Sequence, residues 1–213
     1  MKILLKAFFF VIILFVWSCA SFPIDDYSKK EKLLLNHLES WKNFRIDGII
    51  GLNYKSFSFR KNVSIRKNEE AFRMDIFDSG IMGMHPTPFI TVYMDTTIVL
   101  RLPFQTEENI LDSLFEKEKL PDFAKIFDVQ KLINNKEEII KSKNYENENY
   151  SLIFSEKMLL EKIVFTNPDS YVILEYNRNY ELSDISFFYD KKNISTIQID
   201  KISHQRIEIK RIE

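Results

Sequence analysis

Across residues 29–41 the apolar side chains Leu33, Leu34, Leu35, Leu38 and Trp41 recur at three- and four-residue steps. That spacing gathers them on one stripe and predicts an amphipathic helix opening the domain. Beyond it the period changes to two. Phe44, Ile46, Gly48 and Ile50 alternate with Arg45, Asp47 and Ile49. Phe57, Phe59, Val63 and Ile65 alternate with Ser58, Arg60, Ser64 and Arg66, with a break near Lys61 and Asn62. Phe72, Met74 and Ile76 then alternate with Arg73, Asp75 and Phe77. Period two predicts strands with one wet and one dry face. Two more strands follow over 89–93 and 98–102, with turn signals at Asn68-Glu69-Glu70, Asp78-Ser79-Gly80 and Asp95-Thr96-Thr97.

The pattern then turns helical. Ile110, Leu111, Leu114 and Phe115 share one face of 107–115, and after Pro121 the residues Phe123, Ile126, Phe127, Val129 and Ile133 do the same. Two short amphipathic helices result, the second starting at Pro121-Asp122, where the acid suits the positive end of the helix dipole. Strand alternation returns over 139–145, 150–154, 159–165, 171–176, 182–189, 194–199 and 205–212. Short turns between these segments imply antiparallel neighbours. The order is helix, about five strands, two helices, about seven strands. No second sheet is indicated, so the helices must cover the dry face. A strongly curved antiparallel sheet wrapping helical segments, an α+β fold, is the economical architecture, and it encloses an apolar space.

The chain has 213 residues, 45% of them hydrophobic, with 4 glycines, 6 prolines and 19 phenylalanines. Such a chain can bury a large core and is not a disordered stalk. Phenylalanine supplies large apolar area with no polar group to satisfy, which suits either a heavy core or a greasy cavity. The balance of 30 basic and 31 acidic residues gives no electrostatic case for nucleic acid.

The N-terminus stands apart from this pattern. Lys2 and Lys6 precede an uncharged run from Ala7 to Trp17, the layout of a secretory signal. The run is too short to span a bilayer comfortably. It closes on Val16-Trp17-Ser18-Cys19, and Cys19 is the single cysteine. This tetrad resembles the bacterial lipobox, which implies cleavage before Cys19 and a lipid on its sulfur. The division is then 1–18 signal peptide, 19–28 lipidated tether and 29–213 a single domain. Ala20 is not aspartate, and by the same resemblance the protein is delivered to the outer membrane, lipid-anchored in its inner leaflet and facing the periplasm. The alternative is a buried cysteine behind an uncleaved anchor.

The helix ending in Trp41, the run Phe44-Arg45-Ile46-Asp47-Gly48, residues 72–77, the turn Gly80-Ile81-Met82-Gly83, the strand pair over 91–102 and the helical insertion with Leu120-Pro121 together resemble the LolA/LolB family of lipoprotein carriers and receptors. The likeness extends over most of the mature chain. It implies an unclosed β-barrel, here of about 11 strands, with an N-terminal helix and a helical lid around a hydrophobic cavity. It implies binding of lipoprotein or lipid acyl chains, exchange with a periplasmic LolA-like carrier, and insertion of lipoproteins into the outer membrane. The protruding apolar loop of LolB-like receptors matches Ile81, Met82 and Met84. A turn folded back over the barrel end is the other reading of these residues. On the dry face, Phe59, Phe72, Met74, Ile76, Val92, Leu100, Phe115, Phe127, Phe154 and Phe165 are the expected cavity lining.

Catalytic signals are missing from the sequence. His37, His85 and His204 show no zinc-ligand spacing, and no phosphate loop, nucleophile elbow or cysteine nucleophile is present. His37 reads as a surface residue of the first helix. No cofactor is expected and the protein is not read as an enzyme. A lipoprotein that docks an envelope complex, its sheet filled by its own side chains, is the alternative function. A tethered hydrolase with acids from distant strands ranks last.

Overall fold

The computed structural model describes residues 26–54, 57–78, 87–95, 98–101, 128–166 and 170–210. Helix α1 (Asp26–Ser40) leads into strands β1 (Phe44–Tyr54), β2 (Phe57–Lys67), β3 (Phe72–Phe77), β4 (Pro88–Met94) and β5 (Ile98–Arg101). Helices α2 (Val129–Asn134) and α3 (Lys136–Ser142) follow. The second half contains β6 (Asn144–Glu146), β7 (Tyr150–Phe154), β8 (Leu160–Phe165), β9 (Ser170–Tyr176), β10 (Leu182–Tyr189) and β11 (Lys192–Ser203). All of these strands form one sheet of 11, ordered β5-β4-β3-β2-β1-β11-β10-β9-β8-β7-β6. Two antiparallel meanders are thus joined where β11 returns to pair with β1. The sheet does not close on itself. Its edges, β5 and β6, are short, which limits unwanted strand addition.

Register assigns the faces. Ile46, Ile65, Met74 and Val92 stand in one row, and Ile50, Ile197, Ile185 and Leu174 continue the same face across the junction. Helices pack on this inner face through Leu34 and Leu38 of α1, Val129 and Leu132 of α2, and Ile139 and Ile140 of α3, all in one core with the strand residues. At Gly48 the register against β11 slips by one residue. A Cβ there would run into the Gln198 backbone oxygen, so glycine allows the close approach that this bulge requires.

Several expectations need correction. The predicted break near Lys61 and Asn62 does not occur, since β2 stays in continuous register with β1 from Phe57 to Lys67. Helix α1 begins at Asp26, inside the segment read as an extended tether, and an Asp26–Lys30 pair one turn apart supports that start. The strand expected over 139–145 is helix up to Ser142, because Ile139 and Ile140 both reach the core from α3. A short apolar pair cannot by itself separate strand from helix. Lys143, in the left-handed conformation, ends that helix and leaves only Asn144–Glu146 as strand. Residues 205–210 form no strand either. Both sides of β11 are already taken by β1 and β10, so a following segment has no ladder beside it to join. It runs instead along the other face, where Asn68 donates to the Ile207 carbonyl and Arg73 to that of Lys210. Of the two helices expected across the insertion, 107–115 and 121–127 lie outside the described residues. Asp128 caps the helix that is described, its carboxylate accepting from the Lys131 backbone N–H, and the expected start at Pro121-Asp122 lies outside the described residues.

Candidate functional site

The inner face of β2 to β5 is apolar and incompletely covered. Phe59, Phe72, Met74 and Ile90 pack against the core but remain half-buried, as do Val92 and Leu100. On β7 and β8 the same face is sealed: Leu152 is 0% exposed, Phe154 3% and Phe165 8%. Register therefore places Phe59, Phe72, Met74, Ile76, Val92, Leu100, Phe154 and Phe165 on one side of the sheet. Phe115, Phe127, the loop residues Ile81, Met82 and Met84, and Cys19 lie outside the described residues. The loop's bases are in view, where the Asp78 backbone N–H donates to the Thr87 carbonyl.

Among the described residues of β2, two lysines fall on this dry face, Lys61 toward its rim and Lys67 buried. Lys67 ends β2 in register between Phe44 and Phe72, is 2% exposed, and donates to the Asn68 carbonyl at 3.2 Å. Burial pulls its pKa down to about 8, against the opposing fields of Glu69 and Asp128. At neutral pH it is still mostly a cation, with donor capacity that one carbonyl does not exhaust. Along β2 the dry face runs from Phe59 through Lys61, Val63 and Ile65 to Lys67, so period two reaches both lysines while their charge argues for the wet face.

His37 is half-buried rather than a free surface residue: its Nε2 accepts from the Trp41 indole N–H at 3.1 Å and from the Leu160 backbone N–H at 2.9 Å. With Nε2 accepting twice, the ring proton belongs on Nδ1. Trp41 and Tyr176 meet the imidazole edge-on, at 5.9 and 6.1 Å between ring centres. Burial, with a smaller push from His204, drives the His37 pKa down to about 4. Tyr176 donates its hydroxyl to the Leu160 carbonyl at 2.8 Å, and burial raises its pKa. The cluster fastens α1 to the start of β8. A neutral histidine whose Nε2 already accepts two N–H groups is not poised as a general base.

The opposite face carries a buried ion cluster. Asp75 is 0% exposed and accepts from Arg73 Nε at 3.0 and 2.9 Å, from Thr91 Oγ1 at 2.8 Å and from Arg66. The carboxylate is satisfied on both oxygens, so it holds structure and has no free lone pair aimed at a ligand. Among the described residues, no group of three or more His, Cys, Asp or Glu side chains could hold a metal ion. No described helix is long and apolar enough to cross a membrane. Compared with known proteins, the chain matches no family model and no curated protein.

Proposed function

We propose that the chain is a lipid-anchored envelope protein that holds acyl chains of lipoproteins or lipids against the inner face of its sheet, in the manner of the LolA/LolB family. The observation that carries this reading is the half-buried apolar surface of Phe59, Phe72, Met74, Ile90, Val92 and Leu100 on β2 to β5, beside a half of the sheet that is packed shut. An acyl chain laid there is held by the hydrophobic effect, each buried methylene contributing about 0.8 kcal/mol. No bond is made or broken. The helices between β5 and β6 act as the lid, Cys19 bears the anchoring lipid, and Ile81, Met82 and Met84 form the apolar turn through which the chain passes between this site and a bilayer or a LolA-like carrier. Outer-membrane delivery of lipoproteins follows as the role.

The test is native mass spectrometry and lipid extraction on protein starting at Ser21, with a fluorescent hydrophobic probe as competitor. Co-purified acyl lipid that the probe displaces, and that Met74→Glu abolishes, supports carriage. A clean apo mass without probe binding refutes it. That result would favour the docking reading, which has its own observation. On the outer face of β7 to β10, Ile153 is 38% exposed and Tyr171 stacks on Phe188 at 4.7 Å, beside half-buried Val164 and Ile173. Lys162 stands between Ile153 and Ile173 in register and lies over the Tyr171 ring at 4.2 Å, so a partner docking there meets one cation among the apolar side chains.

A further inference from the structure

We infer that the first turns of α1, with the β7–β8 and β9–β10 turns, form the surface that lies on the anionic headgroups of the anchoring bilayer. The inference rests on the reading of Cys19 as the lipidated residue. These three segments enclose an open cleft of about 290 Å³ lined by Asp26, Lys29, Lys30, Leu33, Leu159 and Tyr180, with Glu156 and Lys157 at its side. Its rim exposes apolar area: Leu33 is 39% exposed and Tyr180 53%, and Tyr27 nearby is 37%. Lysine frames the aromatic, the Lys157 ammonium lying 3.7 Å from the Tyr180 ring centre and bonding its hydroxyl. Tyrosines and lysines beside exposed leucine are the side chains that partition to the membrane–water interface.

Charge points the same way. Residues 26–33, 155–159 and 177–181, with Lys136 and Lys143 paired onto Glu31 and Glu156, carry seven basic and four acidic side chains, on a chain whose net charge is -1. Each lysine near an anionic surface is attracted to it, and the attraction falls off within a Debye length. Tether length then fixes which bilayer is meant. Asp26 is the seventh residue after Cys19, and a chain of seven steps spans at most about 25 Å. Asp26 lines the cleft, so the cleft stays close to the leaflet that holds the lipid. The loop between β3 and β4 leaves the sheet from the opposite strand ends, those shared with the β10–β11 turn.

The experiment uses the mature full-length protein in vesicles of phosphatidylcholine and phosphatidylglycerol at seven to three. If Cys19 is lipidated, a cysteine introduced by Asn179→Cys or, as control, Lys192→Cys on the far strand ends is the single free thiol for an environment-sensitive dye. Mass spectrometry first reads the lipid on Cys19. With lipid present, the dye at 179 is expected to shift to the blue and to be quenched by headgroup-nitroxide lipid, while the dye at 192 reports water. Lys29→Glu with Lys157→Glu, both at exposed positions that need not disturb folding, lowers the quenching at 179 at least about twofold. Lipid on Cys19 with position 179 in water, or with 192 quenched instead, overturns the inference and leaves the anchor standing. An unmodified Cys19 overturns both together.

Discussion

His37 makes the fold acid-sensitive in a window set by one ring. Folded, it stays neutral down to a pKa of about 4 because burial excludes the charged form. Unfolded, it takes up a proton near 6.5. Between those values the unfolded chain binds more protons, so stability falls as pH falls, and the fall ends once pH is below the folded value. A gap of about 2.5 units corresponds to roughly 3 kcal/mol in all, of which about 2 kcal/mol is gone by pH 5. Protonation would also turn Nε2 from acceptor to donor, facing the indole N–H of Trp41 and the backbone N–H of Leu160. Urea denaturation at pH 7.5, 6.0 and 5.0 measures the effect, followed by the fluorescence of Trp41, the single tryptophan beyond residue 18. His37→Gln keeps an acceptor oxygen that does not titrate there. It should lie within about 1.5 kcal/mol of the parent at pH 7.5 and show little loss by pH 5. His37→Phe leaves two N–H groups unmet and should lose roughly 2 to 4 kcal/mol at every pH. A parent that is flat from 7.5 to 5.0, or a Gln variant with the parent's slope, refutes the assignment.

Three other substitutions test the frame and the dry face. Lys67, with a pKa near 8 in the fold and 10.5 unfolded, holds fewer protons folded than unfolded between those values. Its burial therefore costs roughly 3 kcal/mol below pH 8, and the cost is relieved as pH rises toward 10.5. Lys67→Met should raise the urea midpoint at pH 7 and remove that alkaline gain; an unchanged alkaline profile would count against the burial. Asp75→Ala strands two arginines beside a buried hydroxyl and should cost roughly 3 to 5 kcal/mol in thermal or urea unfolding, whereas a loss under 1 kcal/mol would mean that water reaches the cluster. Gly48→Ala meets the Gln198 carbonyl oxygen and should cost about 1 to 3 kcal/mol, while Gly51→Ala, whose Cβ would sit 3.8 Å from the Thr196 oxygen, serves as the near-neutral control.

Period two carried most of the architecture. β3, β7 and β10 lie where the alternation put them, because a sheet dry on one side writes its face into every second residue. It carried faces equally well: Phe59 and Phe165 stand on opposite halves of the sheet, yet register places both on the inner side. It failed where the deciding partner is remote. Ile139 and Ile140 read as strand because nothing near them in the sequence says that α1 and α2 pack beside α3. Ile207 and Ile209 alternate like a strand, but a strand needs a free ladder, and only the pairing order shows that β11 has none. His37 is held off the surface by an equally remote partner, since the second N–H that its Nε2 accepts comes from Leu160.

Polar groups at dry or covered positions are therefore the least legible part of this chain and the most informative once placed. Asp75 occupies a wet-face position by alternation, yet it is fully buried, with Ser64 and Thr91 beside it. Its cover could not be foreseen, because the 205–210 segment that bonds to Asn68 and Arg73 was itself read as another strand. Lys67 is the converse, a cation held on the dry face with no carboxylate in bonding range among the described residues. Burying it unpaired opposes folding, so the sheet tolerates there a group that packing alone would replace by leucine or methionine. On the acyl-binding reading that group has a use: it stands at one end of the half-buried row on β2 to β5, where the acidic head of a bound amphiphile can meet a cation while its tail lies along Met74 and Val92. Loss of probe or lipid affinity in Lys67→Met, at undiminished stability, separates that role from a merely tolerated charge; unchanged affinity would refute it.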